Sequence, residues 1–355
     1  MRSSDGHHWI ALDHVRAIAA LMVFTWHFAG QLRFPHNLAA PGLAIFEQGY
    51  TGVSLFMVLS GYLFAKLLDR KEVHYRAFFW NRFIRLFPLL AVVLVLAGLQ
   101  ECLLHHASAA AYLENVLRGA IFPTLPNGGW SITVECHFYL LLPLLMAATR
   151  RWVWAPLAFM SVALAARYAL YLQIGEIQSL AYWTIVGHVD QFLVGILAFN
   201  FRGYLRKNHF LAISTAVAFV AFYYWFDRAG GWTSFGGPYP SPSALWVFIP
   251  TIEAVAYGLL VAYYDSSFSF RNAGISRVVG AAGAYSYSIY LLHFFFVFRA
   301  SHFVDDHVIR LSNFYLAAAA SLVCFCGMIP IGWASFRFIE SPFLRLRVPY
   351  VRPQR

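Results

Sequence analysis

Apolar residues in this chain gather into long continuous runs, not the two-residue alternation of a half-buried strand. Runs of about 18–22 residues recur, the length of helix that crosses roughly 30 Å of hydrocarbon. Ten are found, near 12–31, 49–67, 86–105, 131–149, 152–172, 182–200, 208–226, 243–264, 283–301 and 315–337. Because the runs are continuous, helices are expected and not the strands of a barrel. The predicted fold is all-α: a polytopic integral membrane protein with ten transmembrane helices, forming a single membrane domain over 1–355.

The connections carry a charge asymmetry. With the N-terminus placed in the cytoplasm, the cytoplasmic segments hold 18 basic residues and the opposite connections five, namely Arg33, Arg118, Arg228, Arg299 and Arg310. The cytoplasmic set comprises Arg2; Arg70, Lys71, Arg76, Arg82 and Arg85; Arg150 and Arg151; Arg202, Arg206 and Lys207; Arg271 and Arg277; and Arg337, Arg345, Arg347, Arg352 and Arg355. The positive-inside rule then predicts both termini in the cytoplasm. The first run contains Asp13, His14 and Arg16 with no small-residue cleavage site soon after, so a retained span is expected, not a signal peptide.

Composition agrees. Of 355 residues, 60% are hydrophobic and 12% charged, against roughly 25% charged in a soluble domain, and the mean hydropathy is +0.59. A net charge of +10 spread over short loops does not suggest nucleic acid. Cys102, Cys136, Cys324 and Cys326 form no CxxC pair, which predicts neither a disulfide framework nor a metal site. "GGWTSFGGPYPSPS", 230–243, reads as a turn on the outer face.

Ionisable residues inside spans are costly and therefore mark candidate sites. Arg16 and His27 lie eleven residues apart in the first span, about 16 Å along a helix. They are expected as two stations on one path, the alternatives being a snorkelling arginine and an interhelical hydrogen bond. In "GGWSITVECHFYLLLPLL", Gly128 and Gly129 allow a tight turn, Trp130 suits an interfacial anchor and Ser131 a helix cap. Glu135 then reaches the depth of His27, and a carboxylate that orients an imidazole suits acid–base chemistry; a structural ion pair is the alternative. His188 and Asp190, in "GHVDQFLVG", and His293, beyond Ser286, Tyr287, Ser288 and Tyr290, are candidates for a polar pocket or for helix–helix contacts. Glu253 is a further mid-depth carboxylate with no assigned partner. Arg82 and Arg85, three apart on one helical face at the inner mouth of the third span, suit phosphate groups, or lipid headgroups. In "FRFIESPFLRLR", Pro342 is expected to end the last helix and Glu340 to pair with nearby basic residues.

Six segments together resemble the bacterial membrane-bound acyltransferase family 3, which includes O-acetyltransferases of lipopolysaccharide, exopolysaccharide, Nod factor and peptidoglycan. They are Arg16 to His27 in "LDHVRAIAALMVFTWHF", "GYTGVSLFMVLSGYLFAKLL", the RxxR of "NRFIRLFPLL", "GGWSITVECHFYLLLPLL", "YSYSIYLLH" and "FRFIESPF", in family order. Cys136 and His137 depart from the family's common Glu and Gln after Glu135. Some relatives carry a fused SGNH-type domain, and this chain is expected to be the stand-alone form. The resemblance implies a multi-pass protein of the bacterial inner membrane with an acyl-CoA co-substrate, most often acetyl-CoA, and no permanently bound cofactor. It implies a sugar hydroxyl of a glycan, or of its lipid-linked precursor, as acceptor. Arg82 and Arg85, with Arg16, would hold the donor's phosphates. His27, polarised by Glu135, would act as base, an acyl-His intermediate being the rival mechanism. Trp130, Ser131, His188, Asp190 and His293 remain for the pocket or acceptor. A proton-coupled transporter or lipid-linked-sugar flippase without chemistry is the competing class, and oligomeric state is left open.

Overall fold

The computed structural model describes residues 9–32, 41–69, 71–104, 106, 108–233 and 239–353. Arg2, Arg33, Arg70, Arg355 and positions 234–238 of the Gly/Pro-rich turn lie outside them. The helices are α1 (Ile10–Ala29), α2 (Thr51–Leu68), α3 (Tyr75–Leu104), α4 (Ala109–Gly119), α5 (Trp130–Arg151), α6 (Ala155–Ile174) and α7 (Ile185–Asn200). Then come α8 (His209–Arg228), α9 (Ile249–Ser267), α10 (Gly274–Ala284), α11 (Ser286–Leu292), α12 (Val297–His307) and α13 (Phe314–Ser335). A small antiparallel ribbon joins β1 (Lys71–Val73) to β2 (Val351–Pro353), with Glu72 opposite Arg352.

The chain is thus a multi-pass helical membrane protein. Among the described residues six helices are long and apolar enough to cross a bilayer: α2, α3, α5, α6, α8, and α13 extended to Leu344. The bent pair 274–284 and 286–295, with an angle of 54°, makes a seventh if it counts as one span. Each of the ten apolar runs meets helix, but α7 has only 16 residues. Helices α1 and α9 have span length but not the apolar composition. Both are packed inside the bundle, and a helix shielded from lipid by its neighbours can carry polar residues.

Three boundaries differ from the sequence reading. The run 283–301 is not one straight helix: the chain turns between α10 and α11, passes through a 3-10 turn at His293–Phe295, and resumes as α12. Helix α3 begins at Tyr75, so Arg82 and Arg85 lie within the helix, not at its mouth. Pro342 does not end the last helix. A π turn over Phe336–Glu340 follows α13, and helix resumes over Ser341–Leu344 with Pro342 in its first turn, where the missing N–H costs nothing.

Helices α2 and α7 pack backbone to backbone. A Cβ on Gly61 would fall 2.0 Å from the carbonyl oxygen of Phe192, and one on Gly195 would fall 2.2 Å from that of Val58. Small residues let the backbones meet. Against the other side of α7 lies α6, fastened by an ion pair absent from the sequence reading. Arg167 Nη2 donates to Asp190 Oδ2 at 2.6 Å with both side chains fully buried, and the Thr251 hydroxyl shares that oxygen. Asp190 is therefore a structural partner of Arg167. Removing one member of such a pair leaves a buried charge, which costs about 3–5 kcal/mol, whereas replacing both with apolar residues is often neutral. Arg167→Met alone is expected to destabilise the protein by that amount, and Arg167→Met with Asp190→Leu to recover most of the loss. Thermal unfolding of the purified variants in detergent checks it; equal stability of the two variants would contradict it.

Candidate functional site

One cavity runs among α1, α2, α3, α5 and α11 and encloses about 1200 Å³ of space together with its opening. It is lined by Arg16 from α1, Ser60 from α2, Arg82 and Arg85 from α3, Ser131, Glu135 and Tyr139 from α5, and Ser286, Tyr287 and Tyr290 from α11. Arg347, beyond the last helix, enters it as well. Arg16, Arg82, Arg85, Ser131 and Glu135, all singled out from sequence, thus share one space with Ser286, Tyr287 and Tyr290 of the predicted hydroxyl row.

The basic end follows from helical spacing. Arg82 and Arg85, one turn apart on α3, both face the cavity. The Arg82 guanidinium lies 5.1 Å from the Phe64 ring centre and 5.4 Å from that of Phe78, a cation–π seat that holds it without a carboxylate. Its Nη2 also donates to the Tyr350 hydroxyl at 3.4 Å. Arg16 donates to Asp13 at 2.6 Å, one turn back on α1. Four arginines against Asp13 and Glu135 leave the lining net positive. Guanidinium groups present forked donors that match phosphate oxygens.

The other end is set by the turn before α5. Gly128 has φ +76°, and a Cβ there would meet Tyr290 at 2.9 Å and Phe294 at 3.2 Å. Only glycine accepts that backbone without strain and lets the turn press onto α11 and the 3-10 turn after it. Ser131 lies in the first helical turn and donates to the Gly128 carbonyl at 2.9 Å, so it does not cap the helix. Trp130 is buried among Tyr182, Trp183 and His188 instead of anchoring in the lipid interface. Glu135 lies one turn further along α5. Its Oε1 accepts from Tyr139 and, at 3.3 Å, from Ser60.

Among the described residues His27 and Glu135 share no hydrogen bond or ion pair, which corrects the expected pairing. Equal depth on two helices does not fix the azimuth, and α1 turns His27 toward α11 and its following turn. The imidazole partner of His27 is His293, with Nδ1 of His27 and Nε2 of His293 at 3.3 Å. Hydrogen-bond logic sets the tautomers. The Tyr290 carbonyl can only accept, so His293 donates to it from Nδ1, across 2.5 Å. That leaves His293 Nε2 as an acceptor. The Val23 carbonyl, 2.9 Å from His27 Nδ1, can likewise only accept. His27 therefore carries its proton on Nδ1, shared between Val23 and His293, and Nε2 keeps its lone pair. Phe294 and Trp26 flank the ring, with centroids at 4.6 and 4.7 Å. Neither His27 nor His293 lines the cavity, but Tyr290, whose ring centre is 5.8 Å from that of His293, does.

His188 and Asp190 do not reach this cavity. His188 bonds to Gln191 and to the Tyr182 carbonyl. Gln191 continues to Ser54 and Glu253, and Glu253 accepts from Ser54 and Tyr223. Glu253 thus finds its partners in a buried network of α2, α7, α8 and α9. Glu340 is buried, accepts from Ser288 on α11, and feels the charges of Arg85 and Arg347. Arg347, Ser60 and Tyr139 escaped the sequence reading: the first sits in a tail counted only for its charge, and the other two are neutral hydroxyls on long apolar helices, where residue type alone marks no site.

No solved structure matches this chain. A "Putative O-acetyltransferase" of Staphylococcus aureus (strain COL) is 23% identical over 376 aligned positions, covering 94% of this chain and 56% of the relative. The "Peptidoglycan O-acetyltransferase OatA" of Listeria monocytogenes is 24% identical over 182, covering 43% of this chain and 26% of the relative. The chain therefore spans about half the length of the staphylococcal relative, and its alignment with the listerial one takes in about a quarter of that protein. The family model described as "Acyltransferase domain" matches residues 9–335. That stretch holds every helix from α1 to α13 and all the cavity's lining residues but Arg347, and the chain belongs to this acyltransferase family.

Proposed function

We propose that this protein is a membrane-bound O-acyltransferase that moves an acyl group, an acetyl group by analogy with the names of its relatives, from acyl-CoA to a hydroxyl of a glycan or its lipid-linked precursor. The observation that carries the reading is a single cavity with an arginine cluster at one end and, past Tyr290 at the other, an imidazole pair with a lone pair to spare. The excess of basic residues on one set of connections supports ten spans with both termini cytoplasmic, in the inner membrane. The arginine end then opens toward the cytoplasm, where acyl-CoA resides.

In this reading Arg16, Arg82 and Arg85 hold the donor's phosphates. The pantetheine arm follows the cavity toward Ser131 and Tyr290. Glu135 lines that path, and because its bonds to Tyr139 and Ser60 both fall on Oε1, Oε2 is placed to accept from an amide N–H of the arm. The acceptor hydroxyl arrives from the opposite side. His27 Nε2 removes its proton as the oxygen attacks the thioester carbonyl; the C–S bond then breaks, and the departing CoA thiolate takes up that proton from the imidazolium, which returns His27 to its neutral form. His293 plays the part a carboxylate plays in a hydrolase triad: its Nε2 accepts from His27 Nδ1, fixing the tautomer and stabilising the imidazolium once it forms. The apolar walls keep water from the thioester.

His27→Ala is expected to lower transfer by at least about 100-fold, the scale of a lost general base, with the protein still inserted and monodisperse; release of free CoA from acetyl-CoA in the presence of a glycan acceptor measures it. Full activity in that variant would sink the assignment of the base. His293→Phe is expected to lower turnover about 10-fold or more with little change in donor affinity. Arg82→Ala with Arg85→Ala should instead weaken CoA binding by about 100-fold, since each removes a charge-assisted contact; calorimetry on detergent-purified protein checks this, and an unchanged affinity would contradict the donor site.

A further inference from the structure

The segment after Leu344 is held across the basic end of the cavity by bonds to α3 and to the stretch before it. Asn81, buried on α3, donates to the Val348 carbonyl at 2.7 Å and accepts from the Val348 N–H at 3.0 Å. This reciprocal pair copies one rung of a β-ladder with a side-chain amide. Trp80 donates to the Leu346 carbonyl at 3.2 Å. The His74 N–H donates to the Tyr350 carbonyl at 2.9 Å, and β2 then pairs with β1. Tyr350 is fully buried against Phe78.

Leu346 and Val348 are exposed, and the residue between them, Arg347, lines the cavity. Its Nε and that of Arg82 are both buried without a hydrogen-bond partner. Burial, and then the like charges of Arg85 and Arg82, push the Arg347 guanidinium down to about 10, so it stays protonated at neutral pH. A guanidinium that shares one cavity with two others, with unmet donors, is a seat for an anion.

We propose that residues 345–353 form a strap whose Asn81 clasp delivers Arg347 as a further ligand for the phosphate groups of the acyl-CoA donor. The proposal rests on the donor reading above. The Trp80 and Asn81 side chains that hold Leu346 and Val348 come from α3, the helix that carries Arg82 and Arg85, so the clasp beside Arg347 is set by the same element as the other two guanidinium groups.

Binding of CoA, and separately of pantetheine, which lacks the phosphates, by the full-length protein in detergent tests it. Arg347→Ala is expected to weaken CoA about tenfold and leave pantetheine unchanged, while Arg347→Lys keeps part of the affinity. Asn81→Ala, which retains every guanidinium but opens the clasp, should weaken CoA in the same direction. CoA affinity within about twofold of wild type in Arg347→Ala, or an equal loss for pantetheine, would overturn the ligand role. Unchanged CoA affinity in Asn81→Ala would overturn delivery by the clasp. If CoA binds in a manner that depends on Arg82 and Arg85 but not on Arg347, only this proposal fails; if the unaltered protein binds no CoA, the donor reading fails with it.

Discussion

Four guanidinium groups sharing one cavity between apolar helices set the terms for the rest of this structure. Arginine does not shed its proton to escape burial, so each group needs a counter-charge, an aromatic face or an acceptor. Asp13 serves Arg16, and Phe64 and Phe78 with the Tyr350 hydroxyl serve Arg82. None of these partners is large enough to neutralise the cluster. The lining stays net positive, and the surrounding helices must leave space for whatever anion completes it.

That space exists because other helices are packed without any. Helices α2 and α7 touch through Gly61 and Gly195, and behind them Glu253, Gln191, Ser54 and Tyr223 close a buried network. The Arg167–Asp190 pair locks α6 onto the same wall. One face of α2 is therefore a fixed backing, and the opposite face, with Ser60 and Phe64, opens to the cavity. A polar network satisfied within itself gives rigidity rather than a second site, which is why His188, though suspect by residue type, contributes structure here, as Asp190 does through its ion pair with Arg167.

Much of this could be read from the chain. Apolar run length locates helix in all ten segments, and the RxxR spacing puts Arg82 and Arg85 on one face of α3. Depth along a helix, counted from run boundaries, puts Glu135 inside the bundle at the level of His27. Three things were not legible, each for a physical reason. Depth carries no azimuth, so Glu135 was matched to His27 although α1 turns that ring toward His293. Hydropathy does not register a bend, so the 3-10 turn at His293–Phe295 that divides α11 from α12 lies unmarked inside the run 283–301. And a short basic tail looks the same whether solvated or folded back; only the Asn81 clasp distinguishes Arg347 from the other arginines of that tail.

The replacement of Glu135 by His293 as partner of His27 changes the electrostatics more than the geometry. A carboxylate beside the base would add a buried charge that must be compensated before any substrate arrives. His293 adds none: neutral, with Nδ1 committed to the Tyr290 carbonyl, it offers one lone pair to His27 and nothing else. Its orientation is fixed in turn by the 3-10 turn that holds it and by Gly128, whose missing Cβ lets the α5 turn press on Tyr290 and Phe294. The same glycine sets the start of α5, and with it Ser131 and Glu135 along the cavity wall. One backbone position thus couples the proposed base to the proposed donor path, and the two halves of the site are kept in register without a direct contact between His27 and Glu135.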